Sequence, residues 1–305
     1  MIRRTTAVCL LSMLLSLSPA WAWDSYGHQR MAEEAVLSLP EEVPGFFRWG
    51  AATVGHTAID PDVMKSRDTP QLGHQEYPEH FLDFELMDGT TIPDLRYDFV
   101  AQMIGLGRKP NQVGFVPYAV TEGTQRLSLA FAEHRCWPEN PHVRGKALIY
   151  AGLLAHYAED MIQPLHTSVH YDGRANEAGE SPRSGIHRRV DSLFEQPGFV
   201  AGEEPVVADV FEELWPAVKT EFAASHAQVD RVYELEAALA ALYDAGTWSP
   251  ELSQFAVERY HRTVEFLASL YLTAWRGSAQ IDLSSWLERR GPDGEAVACQ
   301  APEVP

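Results

Sequence analysis

Apolar residues recur at helical spacing along most of the chain, and the clearest case lies near its end. Between Pro250 and Trp275, Phe255, Tyr260, Val264, Leu267, Leu270, Tyr271 and Ala274 recur near helical spacing, while Glu258, Arg259, Arg262 and Glu265 take much of the other face. Similar patterning predicts helices at 97–106, 116–134, 142–161, 185–194, 206–225 and 228–245. A shorter one is predicted at 26–39, with Met31, Ala35, Val36 and Leu39 on one side and Pro40 as its stop. Residues 51–79 interrupt the pattern with Gly55, Asp60-Pro61, Thr69-Pro70 and Gly73, and read as largely loop. There is no strand alternation of any length and no internal repeat, so the expected fold class is all-α.

The two ends differ from the middle. Met1–Ala22 reads as a secretory signal peptide: Arg3 and Arg4, an apolar run over 7–17, and the small-x-small site Ala20-Trp21-Ala22. The run is too short to span a bilayer. Cleavage after Ala22 would make Trp23 the new N-terminus and place the protein in the periplasm or outside the cell. The remaining 283 of 305 residues suit one large domain or two smaller ones, and no clean linker divides them. After Gly277 the chain reads as an irregular tail, 278–305, with Pro292, Pro302 and Pro305.

Charge narrows the chemistry. The full chain carries a formal −19. Such acidity repels nucleic acid and anionic lipid unless a local cationic site intervenes, and bound divalent metal would supply one. Beyond the leader the only cysteines are Cys136 and Cys299; neither lies in a metal-binding pattern, and their separation leaves open whether they pair.

The candidate chemistry centres on 150–166. His156 and Asp160 stand four apart in an alanine- and leucine-rich run, so a helix puts them on one face a turn apart. His166 follows just beyond Pro164, which should kink or end that helix. Imidazole and carboxylate are what zinc accepts where no thiolate is offered. His187 and Asp191 repeat the same four-residue spacing. Further candidates are His28, which could join the free amine and carbonyl of a terminal Trp23, and His80 within an apolar and aromatic group. Either Asp60 or Asp62 could serve; Asp62 is favoured because Lys65 would lie one helical turn away, where its ammonium could steady a phosphate.

These motifs resemble the zinc-dependent phospholipase C and single-strand-specific nuclease superfamily, and in particular its type I nucleases. The resemblance runs in motifs from Trp23 to about Asp191: a tryptophan freed by cleavage, a histidine five residues later, His156-x3-Asp160-x5-His166, then His187-x3-Asp191. It implies a single, mainly helical domain over 23–277 with long loops and three zinc ions. One zinc would take Asp62, His80, His156 and Asp160. A second would take His166, His187 and Asp191, and the third Trp23, His28 and a bridging Asp160.

The resemblance also implies phosphodiester hydrolysis by a zinc-activated hydroxide. Asp62 would orient the attacking water, and Lys65 stands where the nuclease branch usually has a transition-state arginine. Phe81 offers an aromatic face for a base. Asn176 lies in 172–176, which corresponds loosely to the family's glycine-rich loop, and is the other candidate for substrate binding. The gap from Trp23 to His28 and the aspartate at Asp191 resemble the nuclease branch, with single-stranded DNA, RNA or 3′-nucleotides as substrates. Gly185-Ile186-His187-Arg188-Arg189-Val190-Asp191 departs from that branch's usual context, and a phospholipase C acting on phospholipid headgroups is the alternative. A non-catalytic exported metal-binding protein is a second one.

Overall fold

The longest amphipathic stretches become long helices packed side by side. The computed structural model describes residues 25–202, 204–283, 287–290 and 294–299. Trp23, the expected leader and its cleavage site lie outside the described residues. The helices that build or support the site are α1 (Ser25–Leu37), α2 (Ala51–Thr57), α3 (Asp60–Met64), α4 (Val116–Cys136), α5 (Pro141–Ile162), α6 (Ile186–Asp191), α7 (Leu214–His226) and α8 (Pro250–Gly277). The fold is all-α, as the patterning predicts. Its only strands among the described residues are Glu288–Arg290 and Ala296–Ala298, an antiparallel pair.

The central element is α5, against which α1, α2, α4 and α8 all pack. It can be surrounded because Ala147, Ala151, Ala155 and Ala158 are small and fully buried. Asn140 caps its start by accepting from the His142 and Val143 amides, with Pro141 in the first turn, where a missing N–H costs nothing. Its far end gives way at Gln163 to a 3-10 turn, Pro164–Thr167. Phe47 packs edge-on against Phe131 and Tyr271, and the Tyr271 hydroxyl donates to the Ala151 carbonyl at 2.9 Å. That hydrogen bond ties α8 to the middle of α5.

Three sequence expectations need correction. Residues 51–79 are largely helical: α2, α3, a helix Pro70–Glu76 and a 3-10 turn Tyr77–His80. Pro61 and Pro70 start helices rather than break them. Gly55 is there for close packing, since a Cβ on it would stand 2.9 Å from the Gln29 carbonyl oxygen of α1. The helix expected over 206–225 begins only at Leu214. Ahead of it the Asp209 and Phe211 amides donate to the Ser269 and Thr273 hydroxyls of α8, so that stretch satisfies its backbone without helical turns. The stretch expected to be irregular after Gly277 contains the strand pair, held by a Cys136–Cys299 disulfide and by Trp137 Nε1 donating to the Val297 carbonyl.

Candidate metal centre

Six short pieces of chain converge beside the C-terminal half of α5. His28 comes from the first turn of α1, Asp62 from α3, His80 from the end of the 3-10 turn, and His156 and Asp160 from one face of α5. His166 sits on the turn after Pro164, and His187 and Asp191 share one face of α6. All are buried, and His28, His156 and Asp160 have 0 % exposure. Two hydrogen bonds to backbone carbonyls hold the crossing point: Leu82 N donates to the His166 carbonyl at 3.0 Å, and the His166 side-chain Nδ1 donates to the His80 carbonyl at 2.7 Å.

The side chains form three groups that could each hold a metal ion: His28, Asp62 and His156; His80, His156 and Asp160; and His166, His187 and Asp191. Asp160 stands in the middle. Its Oδ2 lies 2.8 Å from His80 Nδ1 and 3.4 Å from His156 Nε2, and its Oδ1 lies 3.7 Å from His28 Nε2. Asp62 Oδ1 is 3.6 Å from His156 Nε2 and is paired with Lys65 Nζ at 2.5 Å. In the third group His187 Nε2 and Asp191 Oδ2 are 3.3 Å apart, and the His166 and His187 rings are 4.8 Å apart.

A metal site and a polar core differ in how their buried polar atoms are bonded. The outward ring nitrogens of four histidines, His28, His156, His166 and His187, have partners. His156 Nδ1 meets the Ala58 carbonyl at 2.7 Å, His187 Nδ1 the Tyr171 carbonyl at 3.1 Å, and His28 Nδ1 the Glu159 carboxylate. Several inward atoms do not: among the described residues His28 Nε2, His166 Nε2, Asp62 Oδ2, Asp160 Oδ1 and Asp191 Oδ2 are buried without a hydrogen-bond partner. Buried polar atoms are rarely left so, and five converging lone-pair donors fit a set of cations.

Electrostatics point the same way. Burial is the main reason His28 and His166 lie below the ordinary 6.5 and His80 and His187 fall to about 3. These imidazoles are neutral and offer lone pairs. For His156, burial is outweighed by Asp160 and Asp62, which raise it. Burial also pushes Asp191 and Glu159 well up, whereas in Asp160 the neighbouring His156 and His166 overcome burial and hold it well down. Asp62, Asp160, Asp191 and Glu76 are all buried here, and among the described residues the only lysine or arginine paired to any of them is Lys65. Divalent cations would supply the missing positive charge.

The cluster opens into a cleft of about 460 Å³ whose walls include His80, His166 and His187 together with Lys65, Tyr77, Phe81, Asp83, Asn111, Gln112 and Tyr171. Tyr77 and Phe81 meet edge-on at 5.6 Å. Of the residues singled out in the sequence, the structure brings together His28, Asp62, Lys65, His80, Phe81, His156, Asp160, His166, His187 and Asp191. Asn176 is not among those lining the cleft. It is exposed, and its side chain bonds to Glu180 and to the Ala178 amide within its own loop.

Three residues that sequence reasoning passed over complete the surroundings. Gln163 Nε2 donates to Asp191 Oδ1 at 2.7 Å, linking the end of α5 to the third group. Glu76 accepts from the Tyr157 hydroxyl, and its Oε1 lies 3.9 Å from His80 Nε2. Glu159 binds His28. The available signals were weak: Glu76 is four residues before His80, and Glu159 and Gln163 flank Asp160 and Pro164 in an otherwise apolar stretch.

No protein-family model matches the chain, and no curated protein matches it. Among solved structures it overlaps one titled as the alpha-toxin of Clostridium perfringens, from avian strain SWCP, at 14 % identity and a TM-score of 0.42, covering 88 % of this chain and 69 % of that one. The overlap is too loose to carry that protein's properties over to this chain.

Proposed function

We propose that this protein is an exported zinc-dependent phosphodiesterase, acting on single-stranded DNA or RNA and on 3′-nucleotides. The observation that supports this best is the set of partnerless buried nitrogen and carboxylate atoms meeting beside an open cleft that also holds an ammonium. His80, His156, Asp160 and Asp62 would hold one zinc, His166, His187 and Asp191 a second, and His28 with Asp160 a third. The described chain begins at Ser25, and His28 lies in the cluster. A terminal amine on Trp23 would complete that third site.

Zinc in such a site supplies Lewis acidity and makes water a competent nucleophile near neutral pH. The chain's own residues do the rest. Lys65 Nζ, held at the cleft by Asp62 Oδ1, places positive charge where the phosphorus-bound oxygens of a diester gain negative charge. Asp62 keeps Oδ2 free of hydrogen bonds and can accept one from water. Phe81 and Tyr77 offer ring faces to a base, and the Asn111 and Gln112 amides and the Asp83 carboxyl line the same cleft with hydrogen-bonding groups. That mixture of flat aromatic and amide surface suits a nucleobase.

A second reading, phospholipase C activity on phospholipid headgroups, draws on Val63, Leu72 and Tyr77, which are 63 %, 39 % and 59 % exposed on the short helices and 3-10 turn of residues 60–80. Hydrolysis of single-stranded DNA, RNA, 3′-nucleotides and phosphatidylcholine, compared with and without chelator, decides between them. Nucleic acid or nucleotide cleavage lost on chelation supports the proposal. Cleavage of phosphatidylcholine alone favours the second reading, and bound zinc with no hydrolysis of any of them refutes both.

A further inference from the structure

The histidines of the cluster differ in what holds their outer nitrogen. His156, His166 and His187 use the backbone carbonyls of Ala58, His80 and Tyr171. His28 uses a side chain instead, the carboxylate of Glu159, and both residues have 0 % exposure. The local backbone explains the difference. His28 and Glu159 face each other across the seam between α1 and α5, whose carbonyls there are taken up in helical bonds, so the acceptor has to come from a side chain. Glu159 precedes Asp160 on α5, so one turn of helix sends one carboxylate into the cluster and the other towards α1.

Resting on the metal-centre reading above, we propose that Glu159 is a positioning residue for metal binding. Its carboxylate accepts from His28 Nδ1–H, fixes the ring in the tautomer whose lone pair is on Nε2, and aims that lone pair at Asp160. His28 Nε2 lies 3.7 Å from Asp160 Oδ1 and has no hydrogen bond among the described residues, and the ring is stacked on His156 at 4.2 Å and 23°. Stacking alone would leave the ring free to flip by half a turn, exchanging the two nitrogens. The bond to Glu159 removes that freedom, and a carboxyl partner on the outer nitrogen also orients imidazole as a ligand. Glu159 thus couples α1 to α5 through the metal centre.

The test uses the full processed protein and two variants, Glu159→Gln and Glu159→Leu, with zinc chloride as the probe. Three measurements are made: zinc bound per chain, zinc affinity by chelator competition, and the ¹⁵N imidazole spectrum of the metal-free form. E159L should weaken one zinc of the set by about 10- to 100-fold, the usual effect of losing such a partner, and leave the others unchanged. His28 should lose its pure Nδ1–H signature in the same variant. E159Q, which keeps an acceptor without the charge and is close in shape, should retain the tautomer and lose less affinity. If the wild type binds zinc and both variants match it in affinity and spectrum, the inference is overturned while the metal centre stands. A wild type that takes up no zinc would overturn both.

Discussion

His156 Nε2 faces His80 Nδ1 at 3.0 Å, with Asp160 Oδ2 within 3.4 Å of both nitrogens. His156 has its other nitrogen on the Ala58 carbonyl, so its inward nitrogen carries a lone pair rather than a proton when the ring is neutral. Two imidazoles and a carboxylate pointed at one another in this way repel or compete unless a cation joins them. Asp160 is common to this group and to the His28 contact, and Asp160→Asn should therefore remove more than one metal. Elemental analysis of the wild type should give close to three zinc per chain, and the variant should hold at most one. A variant with the full complement would show that Asp160 does not bridge.

The position of His156 depends on a contact made one turn earlier on the same face of α5. A Cβ at Gly152 would stand 1.9 Å from Thr57 Oγ1 and 2.6 Å from the Val54 carbonyl oxygen, so α2 lies against bare backbone there. The next residue after α2 is Ala58, whose carbonyl holds His156. Gly152→Ala should force the helices apart, with a stability loss of about 1–3 kcal/mol, the usual cost of overpacking, despite alanine's higher helix propensity. Urea unfolding of chelated protein measures the first effect and zinc affinity the second. Unchanged values in both would mean that the seam can relax without moving Ala58.

How much of this was readable from the residues follows from the range of each interaction. His156 with Asp160, and His187 with Asp191, are local pairs that any helix places on one face, so spacing sufficed to suggest them. The choice of Asp62 over Asp60 turned on which side of the short α3 faces inward; Asp62 is buried and paired with Lys65. Glu159 was invisible because its partner lies 131 residues away. The helices within 51–79 were missed because proline and glycine carry two meanings, stopping one helix or starting and packing another. The unwound stretch before Leu214 was missed because its partners, Ser269 and Thr273, are about sixty residues distant.

Asp83 gives a pH dependence of known sign. Burial, and then the Glu85 charge, push its carboxyl from the ordinary 3.8 up to about 8. A raised carboxyl favours the fold while protonated, so its contribution is fully present below about pH 4 and is lost as pH rises through about 8. Asp83→Asn stays neutral throughout. Its stability advantage over the wild type should therefore widen from pH 4 to pH 8 and level off above. Thermal melts of chelated protein at pH 5, 7 and 9 check this, and a constant offset would mean that Asp83 titrates normally.

The Cys136–Cys299 disulfide spans 163 residues and ties the strand pair to the end of α4. The other ties come from Glu133 to Arg289, Trp137 to Val297 and Asn140 to Arg290, none of which carries a candidate ligand. Closing so long a loop is worth roughly 5 kcal/mol on the chain-entropy account, often less in practice. Cys299→Ala should lower the melting temperature and leave zinc content unchanged. Loss of zinc in that variant would reveal a coupling between the tail and the centre.

Lys65 separates holding the metal from using it. Its Nζ pairs with Asp62 Oδ1 at 2.5 Å, and its side chain is 16 % exposed, at the wall of the cleft. An ammonium there has two possible jobs. It can neutralise Asp62, in which case its removal frees a carboxylate and zinc should bind as well or better; or it can face the phosphate, in which case turnover suffers. Lys65→Met tests both at once. The expected outcome is full zinc content with turnover of single-stranded DNA down by about 10²- to 10³-fold, the scale for losing one transition-state donor. Lys65→Arg should recover part of that loss, since a guanidinium keeps the charge and adds a second N–H for a phosphate oxygen. If Lys65→Met instead loses zinc and turnover in proportion, the lysine supports the ligand Asp62 and takes no part in the reaction.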